Sequence, residues 1–269
     1  MIDLPVALTP KRPVLALARI WLVALGACGS TACLAQGTTR IECVSDIYTP
    51  YVIAGPAEGE VSGIDAELLV AAGQQAGLTI VPRIMPWARV EAELRKGADS
   101  RIDCAFAFSR TVPREAYMVF GTVPLKVTQF SLFAKGARGR APYLGTAQLA
   151  GSRIGARAAF RVPDALKTAA EQGDVVLETV NDDEFNFRKL ALNRVDYVLT
   201  NEDVGATQIR RLGLTDISSL RPAVMELPTY IVFRTGYPQA AALQKALDRG
   251  LLAVRADQTE QRLRDQYLR

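Results

Sequence analysis

Apolar positions along the first half of the chain fall into two alternating patterns. Short apolar runs at 41–44, 79–81, 102–108 and 130–133 are typical of strands, and Pro82 is expected to limit the second of them. Between them, apolar residues recur at helical spacing over 64–77 and from Trp87 to Gly97. This β-α-β-α-β order predicts a parallel sheet with right-handed crossovers.

The same order then begins again. Glycine and proline between 136 and 145 mark a break between two α/β units, and a second crossing is expected near Pro222 to Pro228. After the break we predict strands at 153–156, 175–179, 195–200 and 230–233, with helices at 163–172, 183–193, from 202, at 238–254 and at 257–268.

Two such units predict an α/β fold of two lobes, each a mostly parallel sheet flanked by helices, hinged by two crossings. We expect residues 36–134 to form lobe 1, 135–225 to form lobe 2, and 226–269 to return to lobe 1. The cleft between the lobes is then expected at the carboxyl ends of the strands.

Composition narrows the range of chemistry. The chain has 49% hydrophobic and 22% charged residues, which is ordinary for a globular protein. Its net charge of +4 is small and scattered, so we expect no nucleic-acid partner. There is no histidine, which excludes Ser-His-Asp, Cys-His and histidine-metal sites. We expect no cofactor, metal or catalytic residue.

The N-terminus has the pattern of a secretory signal peptide. Lys11, Arg12 and Arg19 precede a short apolar run, and small residues lead to Ala35, after which we expect cleavage. This leader predicts a periplasmic protein. An alternative interpretation is a lipoprotein cleavage box at 25–28, with acylation of Cys28.

Two cysteines, Cys43 and Cys104, remain after either cleavage. In an oxidising compartment they are a candidate disulfide, since each lies in a predicted strand of the same lobe. A pair of buried free thiols is an equally good interpretation of the sequence. Two cysteines without histidine make a poor zinc site.

The best candidate site follows the predicted strand at 102–108. Ser109, Thr111 and Arg114 place two hydroxyls and a guanidinium at a helix start that Thr111 is expected to cap. Positive charge is unfavourable at a helix start unless an anion shares the site, so the group favours a carboxylate ligand. Alternatively, Thr111 is only a cap and Arg114 a solvated side chain paired with Glu115.

Other candidates also lie at predicted strand ends. Tyr48 and Trp87 can pack on a ligand and Asp46 can accept a hydrogen bond. A proline-containing turn at 48–51 and a core anchor for the Trp87 helix are the alternative interpretations. From lobe 2, Asn201 and Arg161 can reach the cleft, although either is more often a surface residue.

Several motifs in order resemble the amino-acid-binding periplasmic solute-binding proteins of family 3, the receptors of ABC importers. They are Tyr48-Thr49-Pro50-Tyr51, Gly63-Ile64-Asp65-Ala66-Glu67-Leu68, Met85-Pro86-Trp87-Ala88-Arg89, Ser109-x-Thr111-x-x-Arg114, the stretch 149–155 and Asn193-Arg194-Val195-Asp196. The resemblance implies a type II periplasmic-binding-protein fold, in which Arg114 clamps the ligand carboxylate with Ser109 and amides near Thr111.

Two positions depart from the family pattern. The resemblance implies an acid for the ligand ammonium group where Asn201 stands. Ala159-Phe160-Arg161 replaces a Gly-Thr-Thr loop, so Phe160 and Arg161 are candidate ligand contacts. Glu202 can substitute if the loop is shifted. Otherwise the ligand is not a standard α-amino acid, and Arg161 suits a second acid group.

We therefore expect a monomeric binding protein that delivers a small carboxylate to an ABC permease. A periplasmic enzyme on the same scaffold, similar to cyclohexadienyl dehydratase, is the alternative, with Glu202 and Glu184 as candidate acids. A sensor that acts on a membrane kinase is a third hypothesis.

The processing site gives a first testable prediction. Mass spectrometry of the secreted protein should find a free N-terminus near Gln36, because the small residues before it suit a signal peptidase. A diacylglyceryl adduct on Cys28 would instead establish the lipoprotein interpretation.

Overall fold

The computed structural model describes residues 39–158 and 160–268. The predicted signal peptide, including Cys28, lies outside the described residues, as does Ala159. The strands are β1 Thr39–Ser45, β2 Ile53–Ala54, β3 Val61–Ser62, β4 Leu78–Ile84, β5 Cys104–Ser109, β6 Met118–Phe120, β7 Lys126–Lys135, β8 Arg153–Arg157, β9 Val176–Val180, β10 Tyr197–Asn201, β11 Ile217–Ser219 and β12 Met225–Arg234. The helices are α1 Ile64–Gln75, α2 Trp87–Leu94, α3 Val112–Glu115, α4 Ala137–Arg140, α5 Asp164–Glu171, α6 Asp183–Ala191, α7 Glu202–Leu212, α8 Ala240–Ala256 and α9 Thr259–Leu268.

Ten of these strands form one mixed sheet in the order β4-β1-β5-β12-β7-β10-β8-β9, with β6 beside β12 and β11 beside β7, while β2 and β3 pair with each other. At each end of this order the strands run parallel, as the alternation of strands and helices predicts. In the middle, β12 is antiparallel to β5 and to β7, and β7 is antiparallel to β10. The purely parallel pattern therefore holds within each end of the sheet and not across its centre.

Hydrophobic clusters lie on the faces of the sheet at both of its ends and define two lobes. The first lobe packs β1, β4 and β5 against α1 and α8, with side chains such as Leu68 and Leu247 fully buried. The second lobe packs β8, β9 and β10 against α5 and α6, with Leu166 and Phe187 buried. The helices α1, α5, α6 and α8 each bury apolar side chains on one face, and burial of that face is the main source of their stability.

The chain passes between the lobes along β7 and returns along β12. These two strands pair with each other over 126–130 and 225–229, and each then continues into one lobe. The sequence predicted a strand only at 130–133 and a proline-containing connection at 222–228, because Pro228 and the charges at 126 and 135 interrupt the apolar pattern. Tertiary pairing extends both strands through these residues.

Pro82 does not limit its strand as expected. β4 continues to Ile84, and Pro82 lies opposite Cys43 of β1. Proline has no N–H to donate, which is tolerated here because β4 is the outer strand of the sheet and pairs along one side.

A disulfide joins Cys43 of β1 to Cys104 of β5. The two residues are directly opposite each other in the parallel register, with a Cα–Cα distance of 4.4 Å, and neither is exposed. They are 61 residues apart in sequence, so the bond closes a long loop that includes α1, β4 and α2.

Replacing both cysteines with alanine should lower the free energy of unfolding by about 4 kcal/mol, because the unfolded chain regains the entropy of an open loop of this length. Urea unfolding of the wild type and of Cys43→Ala/Cys104→Ala measures the difference. A reductant should destabilise the wild type and leave the double variant unchanged. Equal unfolding midpoints for the two oxidised proteins would contradict a structural role for the bond.

Candidate ligand-binding cavity

A cavity of about 330 Å³ lies between the two lobes at the carboxyl ends of β1 and β5. Its size is within the range of small-molecule sites. Eight of the nine residues that the sequence proposed as ligand-binding line it: Asp46, Tyr48, Trp87, Ser109, Thr111, Arg114, Phe160 and Arg161. The ninth, Asn201, does not.

Arg114 is held at the wall of the cavity by its own loop. Its Nη1 donates to the carbonyl oxygen of Ser109 at 3.1 Å and to the hydroxyl of Ser109 at 2.8 Å. Thr111 has extended backbone geometry at the start of α3, as a cap requires, but its side chain makes no cap hydrogen bond. α3 is only 4 residues long, so the local hydrogen bonds, rather than a helix dipole, fix the guanidinium.

Glu91 of α2 is the anion beside Arg114, and sequence reasoning missed it. Arg114 Nη2 donates to Glu91 Oε2 at 3.1 Å, while Arg95 and Tyr117 donate to Oε1 at 2.9 and 2.8 Å. Burial raises the pKa of Glu91, but the hydrogen bonds from Arg114 and Tyr117 lower it more, so it stays below its usual value. Glu91 is therefore ionised, and two arginines with one carboxylate leave a net positive charge.

The sequence contains a signal for the position of Glu91, although not for its pairing with Arg114. Glu91 lies one helical turn after Trp87 on α2 and one turn before Arg95, so the three side chains share a helix face. Glu115, which the sequence offered as a partner for Arg114, pairs with Arg110 instead, at 3.1 Å.

Aromatic rings form the wall next to Arg114. The indole of Trp87 stacks on Phe108 with ring centroids 4.2 Å apart, and the guanidinium of Arg114 lies 5.1 Å from the Phe108 ring. Asp46 holds this wall in place, since its Oδ2 accepts the backbone N–H of Trp87 at 3.1 Å. A flat apolar surface beside a cation suits a ligand with a carboxylate and an adjoining apolar part.

Tyr48 and Phe160 meet across the cleft from opposite lobes. Their ring centroids are 4.9 Å apart in an edge-to-face arrangement. Arg157, at the end of β8, donates to the carbonyl oxygen of Ile47 at 3.0 Å and lies 5.3 Å from the Tyr48 ring. The second lobe therefore already contacts the first at this edge of the cavity.

Asn201 has a structural role that keeps it out of the cavity. Its side-chain oxygen accepts the backbone N–H groups of Asp203 and Val204 and so caps α7. The hydroxyl of Tyr51 donates to Asn201 at 3.2 Å and to Asp203 at 2.5 Å. The expectation that Asn201 faces the ligand followed from its place at a strand end, but the start of α7 turns its side chain back onto the helix.

The two acids proposed for an enzyme also lie elsewhere. Glu202 pairs with Arg221 at 2.7 Å and accepts the hydroxyl of Ser131 at 2.6 Å. Glu184 pairs with Arg188 and Arg211, and hydrogen bonds from Arg188 lower its pKa, whereas a general acid needs a raised pKa. Neither residue lines the cavity.

Comparison with known proteins identifies the family. The model of the bacterial extracellular solute-binding proteins, family 3, matches residues 41–269. The chain belongs to this family. No curated protein sequence matches it significantly.

Solved structures with the same fold have diverse roles. An amino acid ABC transporter substrate-binding protein from Streptococcus pneumoniae, bound to L-arginine, has a TM-score of 0.66 and 18% identity over 86% of this chain and 94% of its own. A histidine kinase sensor domain with similarity to periplasmic binding proteins has a TM-score of 0.66 and 22% identity over 86% of this chain and 96% of its own. An ancestral amino-acid-binding protein, a precursor of cyclohexadienyl dehydratase, has a TM-score of 0.64 and 16% identity over 87% of this chain and 96% of its own.

Within this fold, the base of the cavity contains a buried ion pair. Lys126 Nζ lies 2.5 Å from Asp65 Oδ2, and 3.1 Å from the centre of the Tyr51 ring. Burial raises the pKa of Asp65 and lowers that of Lys126, so their mutual attraction offsets only part of the cost of removing both from water. The pair is neutral as a unit.

The described residues 39–158 and 160–268 hold no group of three or more acidic or cysteine side chains placed to bind a metal ion. None of their helices is long and apolar enough to cross a membrane.

A second acid that sequence reasoning missed is Asp183, buried at the start of α6. It is 2% exposed, and neither carboxylate oxygen has a partner in full hydrogen-bonding geometry. Burial raises the pKa of Asp183 from the ordinary 3.8 to about 6, and the neighbouring Asp182 adds slightly to this rise. Arg157 and the nearby Thr200 hydroxyl lower the pKa but offset only part of the effect of burial.

Because the folded state favours the protonated form, Asp183 costs stability at neutral pH, by about 3 kcal/mol for a shift of this size. The cost falls as the pH drops through about 6 towards 3.8. Asp183→Asn should therefore be more stable than the wild type at pH 7.5, with a smaller advantage at pH 4.5. Urea unfolding at both pH values measures this, and an advantage that does not change with pH would contradict it.

Proposed function

We propose that this protein is an extracytoplasmic solute-binding protein that captures a small carboxylate, an amino acid or a related compound, between its lobes and delivers it to an ABC importer. The observation that carries the proposal is the position of Arg114. It lies at the wall of a cavity between two lobes, with its side chain 16% exposed and an aromatic surface beside it.

The arginine retains capacity for a ligand. A guanidinium has more N–H donors than Ser109 and Glu91 accept, so a ligand carboxylate can bind beside Glu91. The net positive charge of Arg95, Arg114 and Glu91 then favours a ligand with one carboxylate at this wall. The role of Glu91 is to hold the guanidinium in one orientation and to limit the positive charge of the empty site.

Closure follows from the strands that connect the lobes. Rotation about the paired β7 and β12 brings the ends of β8 and β10 towards those of β1 and β5, and binding energy drives the closed state. Arg157 and Phe160 already contact the first lobe in this way. A ligand under these residues is removed from water, which strengthens its bond to Arg114.

The remaining parts of the proposal concern the chain outside the cavity. We propose that residues 36–134 and 226–269 form one lobe and 135–225 the other, and that a signal peptide at 1–35 directs the protein to the periplasm. Its partner is an ABC permease in the inner membrane, and the protein acts as a monomer. The fold is shared with a sensor domain, so a permease gene beside this one distinguishes transport from sensing.

Catalysis is less well supported than binding, although an ancestor of a dehydratase shares the fold. Glu184 and Glu202 are engaged in ion pairs outside the cavity. Turnover of prephenate or arogenate by the purified protein would favour the enzyme.

A thermal-shift screen of amino acids and small organic acids should find a carboxylate that stabilises the protein, since a ligand bound only by the folded state raises its stability. For that ligand, Arg114→Ala should weaken binding by about 100-fold or more, because charge-assisted hydrogen bonds to the carboxylate are lost. Isothermal titration measures both proteins.

Arg110→Ala is the matched control, because it removes the same charge from an exposed side chain of the same loop. It should leave the affinity nearly unchanged. If Arg114→Ala binds as tightly as the wild type, Arg114 is not the carboxylate anchor.

A further inference from the structure

Alternate residues of the two connecting strands form the base of the cavity. In the antiparallel register, Thr128 lies opposite Leu227, and Lys126 lies opposite Thr229. Side chains alternate between the faces of a strand, so Lys126, Thr128 and Phe130 share one face of β7, as Leu227 and Thr229 share one face of β12. All five line the cavity. We call these five residues the hinge floor.

The burial of β7 and β12 follows this alternation. Thr128 and Thr229 are 4% and 6% exposed, whereas Val127, on the other face of β7, is 55% exposed. An apolar residue therefore faces water while hydroxyl groups are buried under the cavity. Packing alone does not explain that arrangement, because burial favours the opposite choice of residues.

The two threonine hydroxyls have no hydrogen-bond partner in the protein. A buried hydroxyl without a partner is unfavourable, and in most proteins such groups are paired. A change of one χ1 rotamer exchanges the hydroxyl and methyl positions of threonine. Because neither hydroxyl is bonded now, each can turn towards a molecule on the hinge floor without losing a protein contact.

The positive charge of Lys126 in the hinge floor is balanced by Asp65 beside it. Lys126 lies 2.5 Å from Asp65 and the two side chains are buried together, while the second oxygen of Asp65 has no partner and can accept an N–H or O–H. A charged ligand group placed here would lose its water without gaining a counter-charge. A neutral group that both donates and accepts would be satisfied by the hydroxyls.

We propose that the hinge floor is a subsite for a neutral hydrogen-bonding group of the ligand, an amide or a hydroxyl, distinct from its carboxylate. This inference rests on the proposed function, in which Arg114 holds the carboxylate. It names the ligand as a carboxylate with a second polar group that is uncharged. It also places part of the specificity on the strands that the two lobes share.

Isothermal titration with four probes tests the subsite. L-Glutamine ends in an amide, L-glutamate has the same shape with a charge, L-norleucine ends in an alkyl group, and glutaramate is glutamine without its ammonium group. At least one of the two amides should bind the wild type about 10-fold more tightly than both glutamate and norleucine.

The variant Thr128→Val/Thr229→Val removes both hydroxyls and keeps the side-chain shape. It should fold as stably as the wild type, because no protein hydrogen bond is lost. Its affinity for the better amide probe should fall about 10-fold, while its affinity for norleucine should be unchanged or higher. Thr179→Val, on the exposed side of β9, is the matched control and should change neither affinity.

The outcomes separate the two proposals. The subsite is overturned if glutamine, glutamate and norleucine bind equally well, or if the preference for an amide survives in the double variant. Either result leaves the proposed carboxylate site intact. The same holds if none of the four probes binds but another carboxylate binds through Arg114. If no carboxylate binds at all, the proposed function fails as well.

Discussion

The pairing of β7 with β12 is the constraint on which the rest of the structure depends. Both strands cross between the lobes, and they are hydrogen-bonded to each other where they cross, so neither lobe can move without bending this pair. The paired strands also form the base of the cavity. One element therefore sets the distance between the lobes, limits their motion to a hinge, and places Thr128 and Thr229 at the base of the cavity.

Charge balance is the second organising feature. Two cations at the cavity have an anion within reach, the buried Lys126 with Asp65 and the half-buried Arg114 with Glu91. Unpaired, these groups would cost several kcal/mol each on burial. The pairing allows a cavity with many ionic groups to form without a ligand. Arg95, which shares Glu91 with Arg114, leaves a small excess of positive charge at the wall where a carboxylate is expected.

Much of the cavity could be predicted because its residues are local to strand ends. Ser109, Thr111 and Arg114 follow one strand directly, and the carboxyl ends of parallel strands meet at one edge of a sheet, so their convergence follows from the order of the elements. Glu91 was missed because its partner lies 23 residues away. Asn201 was misplaced because a strand end and a helix cap share the same position, and local sequence does not show which one directs the side chain.

The sequence by itself determined the α/β order, the two lobes, the family and the convergence of Ser109, Thr111 and Arg114 on one cavity, because periodic burial and strand-end motifs are local properties of the chain. Only the tertiary structure decided the antiparallel course of β7 and β12, the partner of Arg114, and the exclusion of Asn201 from the cavity. Each of these depends on contacts between residues distant in sequence. Such contacts are set by how the strands pair, and apolar periodicity carries no information about which strands become neighbours.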